Sequence, residues 1–334
     1  MSLNNKRYWN EIDVLYTIGI LLVLVGHSHP SDWSQFQGTA LHRIIVFIYT
    51  FHMPLFFFIA GFLFQNSDRL NRDGYWKWIN DKALRLLTPY FVWSLIAAIP
   101  KYYVENGTLV GVLTEIFDVF IKPRASVWGH FWFIPVLFLT YALYGRAAYT
   151  INDKRHLICC SLILSSVIFF LPIKSQILGI SDLRASLFFF AVGMTANAVC
   201  NWLKNKMGGI PWKLLFVLIA AFGCWLLTDL SYRSRIIELL VALLMISVCW
   251  VFASLIQGGK ITAWVSSHNF TLYIFSWFFQ AAMMAVCSRM RLNWIFTFLL
   301  MFAAGVIGPV AIVIIYNRMS ALHRKPISLI VGER

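Results

Sequence analysis

The chain has 334 residues, 60% of them apolar and only 13% charged, with 14 Trp, 29 Phe and a net charge of +14. A soluble domain carries about 25% charged residues, and several segments here are apolar on every face, which excludes one water-soluble core and points to lipid as solvent. The positive charge lies mostly between apolar segments, as membrane topology requires, so it does not indicate a nucleic-acid partner.

A spanning helix needs about 20 mostly apolar residues. In chain order the sequence predicts spans over 12–28, 42–64, 84–104, 128–146, 156–173, 183–202, 212–229, 235–256, 264–288 and 292–316. Residues 107–121, with Glu115 and Asp118 on a polar side, read as an interfacial helix. The expected fold is all-α: a polytopic transmembrane bundle of about ten spans, forming one integral-membrane domain over residues 1–334. An even number of spans returns both termini to one side. That side then holds most of the Lys and Arg, including Arg69, Arg72, Lys77, Lys82 and Arg85 and the terminal Lys6, Arg7, Arg324, Lys325 and Arg334. The positive-inside rule makes it cytoplasmic. Trp76 and Trp212 fall at predicted interfaces, where amphipathic rings settle. Gly26-His27-Ser28-His29-Pro30 is a poor cleavage site, so the first span reads as a retained helix. The six cysteines (Cys159, Cys160, Cys200, Cys224, Cys249 and Cys287) sit in apolar stretches without CxxC spacing and read as small apolar residues.

An ionisable residue inside a span costs about 2.5–3.5 kcal/mol on insertion scales, so each one asks for a reason. His27 ends the first span after Gly26; hydration at the interface and a functional role are both open to it. His52 lies ten residues into the second span, about 15 Å deep. Pro54 follows it and cannot donate to the carbonyl of Thr50, which kinks the helix. Broken helix at membrane depth is tolerated where protein or a watery cavity surrounds it. Glu238 stands three residues after Arg235, a spacing that suits a local ion pair or a cavity-facing carboxylate. Arg85 opens the third span, where it marks topology or clamps a phosphate. No HExxH, GxSxG, P-loop or GxGxxG pattern occurs, so the residues propose no metal.

Four segments, in order and spacing, resemble acyltransferase family 3 and within it the fucose 4-O-acetylase-like branch. They are Ile12-Asp13 with the apolar run to Gly26-His27-Ser28; Phe51-His52-Met53-Pro54-Leu55-Phe56-Phe57-Phe58 through Phe64; Arg85-Leu86-Leu87-Thr88-Pro89-Tyr90-Phe91; and Trp132-Phe133-Ile134-Pro135-Val136-Leu137-Phe138. Ser267-His268-Asn269-Phe270-Thr271-Leu272-Tyr273-Ile274 adds a weaker match. The resemblance implies a multi-pass protein of the bacterial inner membrane that moves an acetyl group from cytoplasmic acetyl-CoA to a hydroxyl of a cell-surface polysaccharide or its lipid-linked precursor. It implies that His27 is catalytic. His52 then orients the acceptor, polarises the thioester or carries the acetyl group. Tyr16 and Arg85 are expected on the donor side, and Trp132, Ser28 and Glu238 on the acceptor side, with Tyr16, Trp132 and Ser28 as candidate oxyanion donors. Two positions depart from the family pattern: Tyr16 stands eleven residues before His27, where a basic residue is usual, and Ser276 stands near the place of a late His. A Pro-broken span with intramembrane His also suits a transporter or flippase for a glycan or small anion.

Overall fold

A computed structural model describes residues 3–104, 109–126, 129–151, 153–206, 209–319 and 327–332. The side chains of Lys6, Arg7, Cys200, Arg324, Lys325 and Arg334 lie outside the described residues. Helices follow one another in the order α1 (Leu3–His27), α2 (Ala40–Tyr49), α3 (His52–Gln65), α4 (Arg69–Asp73), α5 (Tyr75–Val104), α6 (Leu109–Ile121), α7 (Phe133–Thr150) and α8 (Lys154–Phe170). The series continues with α9 (Ile180–Lys206), α10 (Ile210–Ser231), α11 (Arg235–Leu255), α12 (Lys260–Ser267), α13 (Asn269–Arg289) and α14 (Trp294–Arg318). Short 3-10 turns precede α2, α7 and α9, and no strand occurs among the described residues. The protein is thus the expected all-α, polytopic bundle.

Among the described residues, eight helical segments are long and apolar enough to cross a membrane: 10–27, 40–65, 129–150, 177–197, 210–231, 235–255, 269–289 and 294–318. The other two expected spans fall in α5, whose first half carries Lys77, Asp81, Lys82 and Arg85, and in α8, whose 17 residues rise about 26 Å. Exposed Leu218, Ile219 and Phe222 on α10 and Ile307 and Ile315 on α14 are surfaces that suit lipid, not water. The α6 helix has 13 residues, about 20 Å, too short to span, with Leu113, Phe117 and Phe120 exposed along it.

Two expected continuous spans are interrupted. The second breaks at Thr50 and Phe51 between α2 and α3. Pro54 has no N–H for the Thr50 carbonyl, so the ladder lapses one turn before it. The ninth breaks at His268 between α12 and α13, where the His268 ring donates from Nδ1 to the Trp264 carbonyl at 2.8 Å and competes with the backbone ladder.

The chain divides into two compact units. The first comprises residues 1–59 and 200–321. In it α1 packs against α2, α11, α12, α13 and α14, and α10–α11 and α13–α14 form antiparallel pairs. The second comprises residues 60–199 and 322–334 and is built on α5 against α7. There Tyr144 stacks on Phe190 with ring centroids 4.8 Å apart. Gly61 lets α3 approach α9 so closely that a Cβ would lie 2.0 Å from the Phe190 carbonyl oxygen, the small-residue contact membrane helices favour.

Candidate functional site

A helix leaves its last four carbonyls without helical partners, and inside a membrane no bulk water satisfies them. α1 ends at His27, and its final carbonyls are taken by groups from three elements. The Ser28 hydroxyl donates to Leu24 O at 2.7 Å, and its backbone N–H to Val25 O at 3.2 Å. The Tyr49 hydroxyl, from α2, donates to Gly26 O at 2.7 Å. Gln280, from α13, donates its amide to Leu24 O at 2.9 Å and to Ser28 Oγ at 2.8 Å. His27 therefore sits on backbone held on both sides. Gly26 permits this, because a Cβ there would lie 3.0 Å from the Tyr49 ring. Gly305 on α14 does the same for Gln280, whose amide nitrogen would lie 3.0 Å from an added Cβ.

Leu24 O only accepts, so the Gln280 amide nitrogen must face it and the oxygen must face away. That oxygen is buried without a hydrogen-bond partner.

The α2–α3 break brings the second histidine to the same place. His52 is 6% exposed and its Nδ1 lies 2.9 Å from Ile48 O. A carbonyl only accepts, so Nδ1 carries a proton and, in its neutral form, the ring holds its lone pair on Nε2. The His52 ring lies 5.3 Å from the Tyr49 ring and the His27 ring 6.1 Å from it on centroids. The edge of Trp277 closes on His27 at 5.4 Å. One tyrosine thus contacts both imidazoles while its hydroxyl holds the helix end.

The other sequence candidates are distributed more widely. Ser28 is fully buried and its one hydroxyl proton goes to Leu24 O, so it braces the helix end and has no proton for an oxyanion. Tyr16 lies on unbroken α1 about 16 Å along the axis from His27, with its ring 6.4 Å from Phe56. It is too far to serve an oxyanion beside His27, and a group meeting both residues must be elongated. Glu238 lies in the first turn of α11. Burial, then the Glu238 charge, push the neighbouring Tyr232 hydroxyl up to about 12. In the second unit Arg85 is half-buried on α5. Trp132 opens α7, and the Arg124 guanidinium lies 4.1 Å over its ring while making bonds of 2.6 and 2.7 Å to Asp182. One face of that indole is therefore already covered.

Beside the His27 end, residues 28–39 lead from α1 into α2. His29 donates from Nδ1 to Pro30 O at 2.7 Å. Burial holds its imidazole below the ordinary range, against a smaller opposing effect of that bond. Hydrogen bonds from Ser34 hold the exposed Asp32 carboxyl low. No group of three or more His, Cys, Asp or Glu suited to a metal occurs among the described residues.

Tyr49, Trp277 and Gln280 escaped the sequence reading. Gln280 had a signal: it is the one polar side chain between Trp277 and Val286, and an isolated polar group in a span asks for a partner. Tyr49 and Trp277 had none in a chain with 17% aromatic residues.

An acyltransferase domain profile matches residues 9–316. Two curated relatives are both nodulation protein NolL. That of Mesorhizobium japonicum is 26% identical over 212 residues, covering 62% of this chain and 54% of that protein. That of Sinorhizobium fredii is 27% identical over 231 residues, covering 67% of this chain and 57% of that protein. The chain thus matches a little over half the length of these relatives. No solved structure matches it.

Proposed function

This chain belongs to acyltransferase family 3, and on that premise we propose that it is an O-acetyltransferase of the bacterial inner membrane, taking acetyl from cytoplasmic acetyl-CoA to a sugar hydroxyl of a surface polysaccharide or its lipid-linked precursor. The observation that carries the reading is the pair of imidazoles on the Tyr49 ring at the braced end of α1.

A sugar hydroxyl is a weak nucleophile until a base takes its proton. Imidazole, with an ordinary pKa near 6.5, suits that task. In this mechanism His27 accepts the hydroxyl proton as the oxygen attacks the thioester carbonyl. The C–S bond then breaks, the acetyl group stays on the sugar oxygen, and the departing thiolate recovers the proton from His27. His52 orients the acceptor: with Nδ1 donated to Ile48 O, its Nε2 lone pair can accept from a hydroxyl. That tautomer has no proton to polarise a carbonyl. Arg85 and Tyr16 keep their assignment to the donor side, and an extended pantetheine arm suits the distance from Tyr16 to His27. Trp132 and Glu238 remain acceptor-side candidates.

The test is thiol release from acetyl-CoA by the purified protein in micelles, with and without sugar acceptors, in wild type, His27→Gln and His52→Gln. Acceptor-stimulated release is expected in wild type and a loss of at least a hundredfold in His27→Gln. Full rate in that variant removes His27 from the reaction. Sugar movement across vesicles without thiol release would make the protein a transporter.

A further inference from the structure

The segment joining α1 to α2 carries a second aromatic group that the acetyl-transfer chemistry does not use. Its centre is Trp33. The His29 ring lies 4.9 Å from it, Phe36 5.3 Å and His42 5.6 Å, the last edge-on. Tyr49 lies 6.5 Å from the same indole. Trp33 is therefore one ring removed from His27, through the tyrosine that touches both.

The segment is built, not loose. Phe36 is fully buried and packs with Leu41 and Ile45, against which Tyr49, Trp294 and Phe298 also rest. Asp32 accepts from Ser34 N at 2.9 Å and caps the 3-10 turn, and Thr39 caps α2. Phe36 supplies the apolar anchor, yet Trp33 is 37% exposed. Ser31, Asp32, Ser34 and Gln35 around it are all exposed.

An exposed indole is often a membrane-interface anchor. The surroundings here offer more than an anchor needs, because Asp32 and Gln35 flank the indole in the chain and the His29 and His42 rings lie 4.9 and 5.6 Å from it. They match a sugar instead. A pyranose offers an apolar C–H face to an aromatic ring and a rim of hydroxyls to carboxylate, amide and imidazole groups. Such a site combines apolar contact area with a few placed polar groups. The charge narrows the class: Asp32 is the only Asp, Glu, Lys or Arg between residues 28 and 42. The Arg43 guanidinium lies 5.1 Å over Trp225 on α10. An anionic sugar would meet a carboxylate of its own sign, and a neutral one would not.

We propose that Trp33, rimmed by Asp32, Gln35, His29 and His42, is the platform for a neutral pyranose ring of the acceptor, which it holds beside the Tyr49–His27 pair. The inference rests on the acetyl-transfer reading for its purpose and for its kinetic readout, and not for its binding test.

The test is saturation-transfer NMR of neutral methyl pyranosides with the protein in a sugar-free detergent, together with acceptor KM. Ring C–H protons of one face should take up saturation in wild type. That signal should vanish in Trp33→Ala and return in Trp33→Phe. The acceptor KM should rise at least tenfold in Trp33→Ala and severalfold in Asp32→Asn. Trp212→Ala, at an indole 66% exposed on α10, should leave both readouts unchanged. Pyranoside binding without acetyl transfer keeps the platform and removes only the enzymatic reading. Absence of binding in wild type, binding undiminished in Trp33→Ala, or an equal loss in Trp212→Ala overturns the proposal, the last by assigning Trp33 to membrane anchoring.

Discussion

Replacing Gln280 by Met should separate catalysis from stability. The substitution removes two donated hydrogen bonds, to Leu24 O and Ser28 Oγ, worth about 0.5–1.5 kcal/mol each. Leu24 O keeps the Ser28 proton and is not orphaned. The same change deletes the Gln280 oxygen, which is buried without a partner and costs about 1–3 kcal/mol as it stands. Loss and relief nearly cancel, and Met fills similar volume. The melting temperature should therefore move by no more than about 3 °C. The rate should not be spared. The last turn of α1 loses its tie to α13, and about 1 Å of misplacement can cost a hundredfold. We expect acetyl transfer to fall by roughly 10–100-fold. Gln280→Ala, which also opens a cavity, should lose about 2 kcal/mol or more. Thermal unfolding in detergent and thiol release measure the two quantities on one preparation. A Met variant that melts as low as the Ala variant, or one that works at full rate, refutes the reasoning.

Tyr49→Phe keeps the ring between the imidazoles and drops only the bond to Gly26 O; transfer should fall severalfold, whereas Tyr49→Ala should abolish it, and equal activity of the two would deny the ring a role. Burial lowers the His29 pKa in the folded chain, so as pH falls through about 6.5 the unfolded chain takes up a proton more readily than the folded ring. Stability is then lost as pH falls through that range. His29→Gln should flatten the slope of melting temperature against pH between 7 and 5 (about the titration range of imidazole), and an unchanged slope would place its origin elsewhere. Gly61→Ala would put a Cβ 2.0 Å from the Phe190 carbonyl, and because backbone must shift to relieve it, a loss of about 3 kcal/mol or more is expected, read as a lower melting temperature; wild-type stability would show that α3 and α9 are free to part.

The sequence revealed what depends on local pattern. Apolar length located the spans, and the missing N–H of Pro54 marked the break one turn upstream of it. His27 and His52 stood out because imidazoles in apolar helices have few reasons to be there. Tertiary partners were another matter. Serine back-bonding to the carbonyl four residues earlier is local, but nothing in the Gly26-His27-Ser28 tripeptide announces Gln280, which reaches Ser28 from 252 residues away. The α12–α13 break was hidden for a similar reason: His268 suits a helix by composition, and only its ring bond to Trp264 O shows it interrupting one. Trp132 read as an acceptor-side residue and candidate oxyanion donor, and nothing local announced its cover, Arg124, which arrives from a preceding loop and is fixed by Asp182 on a third element.

The distance in sequence between Ser28 and Gln280 has a consequence for biogenesis. Translation runs at about 5–20 residues per second, so the 252-residue separation means that the first helix waits roughly 13–50 s after its own synthesis for its lateral brace. During that interval it sits in the bilayer with Leu24 O held by Ser28 alone. Nascent chains arrested before the α13–α14 hairpin should accordingly be inserted yet inert, so that activity appears only once that hairpin has left the ribosome.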